Sequence, residues 1–236
     1  MKIRLDKYLA DMGVGTRTET RRMVSKGQVR VNGAAVLKAE QKVETGHDEV
    51  SVNGVFVPYE EFEYYMLNKP AGIISASGDK REKTVVDLIE SRRRKDLFPV
   101  GRLDRDTEGL LLITNDGALS HRLLSPRKHV DKVYYARVRG IVTADDVRRF
   151  EEGVDIGDEK HTLPARLVIQ SNDESNMESE ITLTIREGRF HQVKRMFQAV
   201  GKEVVYLKRI QMGSLVLDST LRPGEYKKLD RKELEE

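Results

Sequence analysis

Apolar residues at Leu5, Tyr8, Leu9 and Met12 recur at the i, i+3, i+4, i+7 spacing of one helical face, and Gly13 and Gly15 interrupt the run. A second helix is predicted from Thr16. The stretch Thr16-Arg17-Thr18-Glu19 has the form of a capping box, in which the Thr side chain and the Glu three residues on satisfy each other's free backbone N–H groups. That helix should run to Lys26, with Gly27 as its stop. Val29 and Val31 then alternate with polar residues, and Asn32-Gly33 supplies a hairpin turn. Residues 40–62 turn acidic and contain Gly46, Gly54 and Pro58, which marks a boundary. Beyond it, strand-like apolar runs at 64–67, 110–114, 133–138, 167–170, 181–185 and 204–207 alternate with helical candidates at 85–93, 118–124, 144–152 and 192–200. The pattern predicts a small domain over 1–45, a linker over 46–60, and over 61–236 an α+β domain of about 175 residues, large enough to form its own core.

Composition narrows the chemistry. Charged residues are 34% of the chain, hydrophobic ones 38%, and no apolar stretch approaches the roughly 18–20 residues of a bilayer span. The N-terminus has no apolar secretory core, so a cytoplasmic protein is expected. With no cysteine there is no disulfide framework, thiolate nucleophile or cysteine zinc site. The five histidines show no metal-binding spacing, and no glycine-rich nucleotide fingerprint or serine-hydrolase elbow is present, so no metal or cofactor is expected. The net charge of +3 divides unevenly: the first 38 residues carry nine Lys and Arg against three acids, a local +6. A basic pole of that kind suggests contact with nucleic acid.

Arg4-Leu5-Asp6-Lys7-Tyr8-Leu9, the Thr16 to Glu19 helix start and Gly27-Gln28-Val29-Arg30-Val31-Asn32-Gly33 together resemble the S4 RNA-binding domain. The resemblance implies binding of structured RNA through the second helix, with Arg4, Lys7, Arg17, Arg21, Arg22 and Lys26 as the contacting cations.

A carboxylate-rich segment stands in the larger domain: Gly101-Arg102-Leu103-Asp104-Arg105-Asp106-Thr107-Glu108-Gly109, followed by Leu110 to Gly117. On composition it reads as an Asp/Gly turn before a buried strand, although loops at strand ends are where a rigid scaffold displays functional groups. The segment, with Thr114-Asn115-Asp116-Gly117, resembles the signature of the RsuA/RluB branch of RNA pseudouridine synthases. Tyr65-Met66-Leu67-Asn68-Lys69-Pro70-Ala71-Gly72 and Glu187-Gly188-Arg189-Phe190-His191-Gln192-Val193-Lys194-Arg195-Met196-Phe197 resemble two further motifs of that family, in the expected order. The implied fold is α+β: a small N-terminal S4 (αL-type) RNA-binding domain, then a mixed, mainly antiparallel-sheet pseudouridine synthase domain with flanking helices.

By this resemblance Asp104 is the catalytic aspartate, Lys194 the cation that pairs with it, and Tyr134 the aromatic that stacks on the target base. Asp106 and Asp116 are expected to be structural. Arg102 and Arg105 are candidates for phosphate contacts or for filling the stack that the uridine vacates. Pseudouridine formation breaks the C1′–N1 bond, turns the uracil and rejoins it through C5, so no redox partner or metal is needed. One carboxylate near C1′ can attack the sugar carbon or take the 2′ proton to give a glycal, and the sequence leaves both routes open. A cation within about 4–6 Å favours the charged carboxylate and fixes its direction. The target base lies inside the nucleotide stack and must be flipped out, which an aromatic platform partly offsets.

Ser125-Pro126-Arg127-x-His129-x-x-Lys132-x-Tyr134, His191 to Lys194 and Leu221-Arg222-Pro223-Gly224-Glu225-Tyr226 look more like the small-subunit enzymes of the branch than its large-subunit enzymes. The implied partner is 16S rRNA or a small-subunit assembly intermediate, modified at one uridine by a monomer. Gln211 stands where an arginine is common, so no role is carried to it. Two rival readings are a large-subunit (23S) enzyme and a non-catalytic rRNA-binding or assembly protein, the second disfavoured by an intact Asp104, Tyr134 and Lys194. A glycosylase is a third, and it would release free uracil.

Overall fold

The computed structural model describes residues 1–125 and 128–234; Pro126 and Arg127 of the Ser125 to Tyr134 motif lie outside them. The chain divides into two units, one of Met1–Glu63 with Glu90–Leu97, the other of Tyr64–Ile89 with Phe98–Glu236.

In the first unit β1 (Lys2–Arg4) leads into α1 (Leu5–Asp11) and α2 (Arg17–Ser25), followed by β2 (Val29–Val31), β3 (Ala34–Ala35), β4 (Lys42–Glu44), β5 (Val50–Val52) and β6 (Val55–Phe56). The capping box forms as expected: the Thr16 N–H donates to Glu19 Oε2 at 2.6 Å and the Glu19 N–H to Thr16 Oγ1 at 3.3 Å. Leu5, Tyr8, Leu9, Val24, Val29, Val43 and Val50 are buried in one core. Residues 46–60, expected as a linker, instead carry β5 and β6, because Val50 and Val52 alternate inward and β5 pairs with β2 in a sheet of order β3-β2-β5-β6.

Asp6, fully buried in α1, accepts hydrogen bonds from Arg4 (3.0 and 3.1 Å), Arg21 (2.8 Å) and Arg17 (3.4 Å). Arg17 and Arg21 therefore turn one edge of their guanidinium groups to the protein while more than half of each side chain stays exposed. Burial alone would raise the Asp6 carboxyl, but the hydrogen bonds from Arg4 and Arg21 and the charge of Arg17 outweigh it and set it at about 2. A folded value below the unfolded one means stability that is present above about pH 4 and lost as the pH falls toward 2, of order 2 kcal/mol. After correction for intrinsic exchange, amide protection of α1 and α2 should fall across that window, whereas Asp6→Asn should start lower and show no such fall. A wild-type profile flat from pH 4 to 2 would refute the assignment.

The second unit is built on a sheet of order β11-β12-β10-β13-β9-β7-β15, formed by β7 (Tyr64–Lys69), β9 (Glu108–Thr114), β10 (Lys132–Arg139), β11 (Arg166–Asp173), β12 (Glu178–Ile185), β13 (Glu203–Met212) and β15 (Tyr226–Lys228). Two short strands join its path, β8 (Phe98–Pro99) on β9 and β14 (Leu215–Val216) on β13. Neighbours along the path are antiparallel except β13 and β9, which run parallel. The α+β class and the mainly antiparallel sheet are as expected. Central β9 is buried from Gly109 to Thr114, the signature of a strand covered on both faces, while β10 alternates buried Lys132, Tyr134, Ala136 and Val138 with more exposed residues. Helices α3 (Gly117–Leu124), α4 (Ala144–Glu152) and α5 (Gln192–Ala199) flank the sheet, with Phe150 of α4 and Phe197 of α5 packed at 5.0 Å between ring centroids. Asp116 is structural, as expected: it caps α3 through the Leu119 N–H at 2.9 Å and accepts from the Tyr64 hydroxyl at 2.9 Å.

The helix predicted over 85–93 is corrected. Only a single 3-10 turn forms at Val85–Leu88, and Glu90–Leu97 pack with the first unit. There the Glu63 carboxylate accepts the Arg93 and Arg94 N–H groups at 3.1–3.2 Å, and Arg94 is paired with Asp96 and Asp11. Among the described residues no helix is long and apolar enough to cross a membrane.

Candidate active site

The loop 101–107 delivers its acids to the point where β9 begins beside β13. Gly109 sits at that junction with φ +100°, opposite Arg209, and a Cβ there would lie 2.2 Å from the Arg209 carbonyl oxygen. Only glycine allows this approach together with a positive φ.

Three groups, from the last residue of β7 and the stretch after it, hold the loop. The Lys69 ammonium, wholly buried, donates to the carbonyls of Pro70 (2.9 Å), Arg105 (3.2 Å) and Thr107 (2.9 Å). The Gly72 N–H donates to the Arg105 carbonyl at 2.7 Å, and Ser75 Oγ both donates to the Leu103 carbonyl (2.8 Å) and accepts its N–H (3.1 Å). Burial pulls Lys69 down to about 8, opposed by the nearby charges of Asp106, Glu108 and Asp104. Buried carbonyls left without a donor are costly, so this ammonium fixes the backbone on both sides of Asp106. The sequence motif containing Lys69 gives it no role of its own, because two of its three partners, the Arg105 and Thr107 carbonyls, lie more than 30 residues away in the chain.

A cleft lies over this loop, lined among others by Arg102, Asp104, Tyr134, Arg189, His191 and Lys194. The structure thus brings Asp104, Tyr134 and Lys194 together. Tyr134, 8% exposed, comes from β10 and faces the cleft, whereas Tyr135 points to the other side and packs on Tyr206. Lys194 comes from the first turn of α5, as do His191 at its N-cap and Val193. Asp104 has a side chain 31% exposed, with Lys194 Nζ 3.8 Å from Oδ2 and His191 Nε2 3.5 Å from Oδ1.

The pairing differs from expectation in one respect. Lys194 makes its direct hydrogen bonds to Asp106, at 2.6 and 2.7 Å, and reaches Asp104 only as the longer contact. Asp106 was expected to be structural only. It instead shares the ammonium, and the hydrogen bond from Lys194, ahead of the opposing effect of burial, holds its carboxyl below the usual range. Its side chain is 71% exposed and it does not line the cleft, so of the two carboxylates Asp104 is the one that faces the cleft. His191, to which the sequence assigns no role, is the second neighbour of Asp104.

Arg102 lines the cleft, while Arg105 is paired to Glu82 at 3.0 Å and donates to the Gly72 carbonyl. The remaining cation candidates lie in the first unit: Arg4, Arg17 and Arg21 on Asp6, Lys7 paired to Asp11 at 2.9 Å, and Arg22 and Lys26 exposed on or just after α2. Among the described residues no cluster of His, Cys, Asp or Glu is arranged to hold a metal ion.

Two family models match this chain, RNA pseudouridylate synthase over residues 63–199 and the S4 domain over 3–50. The RNA pseudouridine synthase YtzG of Bacillus subtilis, itself uncharacterized, is 48% identical over 98% of this chain and 97% of its own length. The ribosomal large subunit pseudouridine synthase B of the same organism is 42% identical, covering 96% and 91%. The ribosomal small subunit pseudouridine synthase A of Escherichia coli is 38% identical over 98% of each. A crystal structure of a pseudouridylate synthase superposes with a TM-score of 0.66 at 35% identity, covering 99% of this chain and 98% of that one.

Proposed function

Because this chain belongs to the RNA pseudouridylate synthase family and carries an S4 domain ahead of the catalytic one, we propose that it isomerises one uridine of 16S ribosomal RNA to pseudouridine. The observation that carries the reading is the cleft in which the Asp104 carboxylate faces Tyr134, with Lys194 and His191 on its flank.

The geometry supports a division of labour. The uridine, turned out of its stack, lies against the Tyr134 ring, which offsets part of the stacking it has lost. Asp104, braced from behind by Lys69 and Ser75, acts at the sugar, either on C1′ or on the 2′ proton. The C1′–N1 bond breaks, the uracil turns within the cleft, and the C5–C1′ bond forms; C5 gives up a proton and N1 gains one, so the reaction balances without an added group. Lys194, anchored on Asp106, sits beside Asp104 and holds its orientation. Retaining the detached base is what separates this chemistry from hydrolysis, since water admitted at that moment would release free uracil. The cations on α1 and α2 add sequence-independent affinity for the phosphate backbone.

The small-subunit target rests on the sequence of the cleft, where His191-Gln192-Val193-Lys194 and the Lys132-x-Tyr134 spacing are like those of the small-subunit enzymes. A 23S target is the second reading, favoured by the 42% identity to a large-subunit enzyme. Incubation with unmodified 16S and 23S transcripts, followed by carbodiimide treatment and primer extension, decides between them. One new stop on 16S alone is expected. A stop on 23S alone would transfer the assignment, and tight binding with no stop on either RNA or on partly assembled subunits would overturn the catalytic reading.

A further inference from the structure

Phe190 is the most exposed large hydrophobic residue among those described, at 75%, yet it is not on a loose loop. Its ring is stacked on the imidazole of His191, with centroids 3.7 Å apart and planes 23° from parallel. The Phe190 carbonyl accepts a hydrogen bond from Arg195 Nη1 at 3.2 Å. On its other side Arg189 donates to Glu187 Oε2 (3.0 Å) and to the carbonyls of Lys160 (2.6 Å) and His161 (2.8 Å). His191 itself is held in the left-handed region, φ +47°, which is uncommon for a non-glycine residue. The fold thus holds a braced turn that presents an aromatic ring to water.

The ring's position indicates what it presents that face to. His191 Nε2 is 3.5 Å from Asp104, so Asp104, the imidazole and the Phe190 ring form a series running outward from the cleft. The cleft is lined by Arg102, Arg189 and Lys194 against the single carboxylate of Asp104, a net cationic setting suited to a phosphodiester chain and unsuited to a basic or purely apolar partner. An apolar face at the end of such a series matches the π-face of a nucleobase, which stacks whatever its identity.

We propose that Phe190, seated on His191, is a stacking platform for an unpaired RNA base within about one nucleotide of the target uridine. The proposal rests on the reading of the cleft as a uridine-isomerising site. It adds a second base position beside Tyr134, one that holds the flanking strand while the uridine is turned out. A platform for a base that does not react contributes equally to the ground state and the transition state, so its loss raises KM and leaves kcat in place.

The chain has no tryptophan, so Phe190→Trp creates a single fluorescent reporter at the platform itself. On the 16S or 23S transcript that the wild type modifies, Phe190→Ala should raise KM about 5- to 100-fold, the range that one base-on-aromatic stack supplies, with kcat within about twofold. Phe190→Trp should return KM close to the wild-type value, and its emission should be quenched as the same transcript is titrated in. A Phe190→Ala enzyme with wild-type KM, or Phe190→Trp emission unmoved at RNA concentrations that saturate turnover, overturns the platform. If the wild type forms pseudouridine on neither transcript and on no partly assembled subunit, the functional reading fails instead. The platform is then judged by quenching and by the binding affinity of Phe190→Ala for those transcripts, where an unchanged affinity and no quenching refute it.

Discussion

Asp104→Asn is expected to abolish pseudouridine formation, by at least about 10⁴-fold in kcat, while RNA binding stays within about threefold of the wild type. The amide keeps the size and shape of the carboxylate and removes its charge, so the cleft stays open and the contacts that hold RNA elsewhere persist. What is lost under the proposed mechanism is the group that acts at the sugar, and a group that takes part in the chemical step costs kcat rather than affinity. Asp106→Asn is the informative companion. Its carboxylate is the direct hydrogen-bond partner of Lys194 and is 71% exposed, outside the cleft. Removing it frees the ammonium to approach Asp104 without removing the reacting group, so a loss of about tenfold, far smaller than that of Asp104→Asn, is expected from misplacement alone. Single-turnover rates on the modified transcript, beside filter binding, give both numbers. Equal losses in the two variants would mean that the carboxylates act as a unit, and an active Asp104→Asn would place the chemistry elsewhere.

Gly109→Ala destabilises the second unit by at least about 3 kcal/mol, and the melting temperature falls by roughly 6–12 °C. The added Cβ would stand 2.2 Å from the Arg209 carbonyl oxygen, 2.9 Å from its nitrogen and 2.8 Å from Lys208 Cγ. The lysine stem can swing away, but the Arg209 backbone cannot, because β13 is paired on its other side with β10, Arg209 standing opposite Tyr134. The positive φ of +100° adds a backbone cost for any residue with a side chain. Relief requires the parallel β9–β13 junction to open, and that junction is where the Asp104 loop enters the sheet, so activity should fall with stability. Gly78→Ala, with nothing within 4 Å of its Cβ and no positive φ, should stay within about 0.5 kcal/mol. A Gly109→Ala protein melting within about 1 °C of the wild type would show that the junction yields and that the close approach does not constrain the site.

These two positions differ in how visible they are in the sequence. Asp104 stands in a dense Asp, Arg and Gly segment whose resemblance to a family signature marks it. Gly109 is one glycine of 18 until the sheet places it against Arg209.

The sequence by itself determined what is written in local order. The Thr16 to Glu19 capping box, the period of α1, the alternation along β10 and the fully apolar core of β9 are short-range patterns, and each produced its element within a residue or two of the expected bounds. Motif order likewise marked the residues that the fold gathers into one cleft. The tertiary structure alone decided which charges meet. Lys194 finds Asp106, 88 positions away, ahead of Asp104, and Asp6 collects three arginines that read as free RNA contacts. Residues 90–97, read in part as the end of a helix, join the other unit because the Glu63 carboxylate takes up the Arg93 and Arg94 N–H groups, and residues 50–56 become sheet because β2 offers them an edge. Backbone conformation answers to neighbours three or four residues away, which the sequence shows in order. Pairing of long ionic side chains, and of strands with edges, answers to whatever the packed chain brings within a few ångströms, and that distance exists only once the fold is formed.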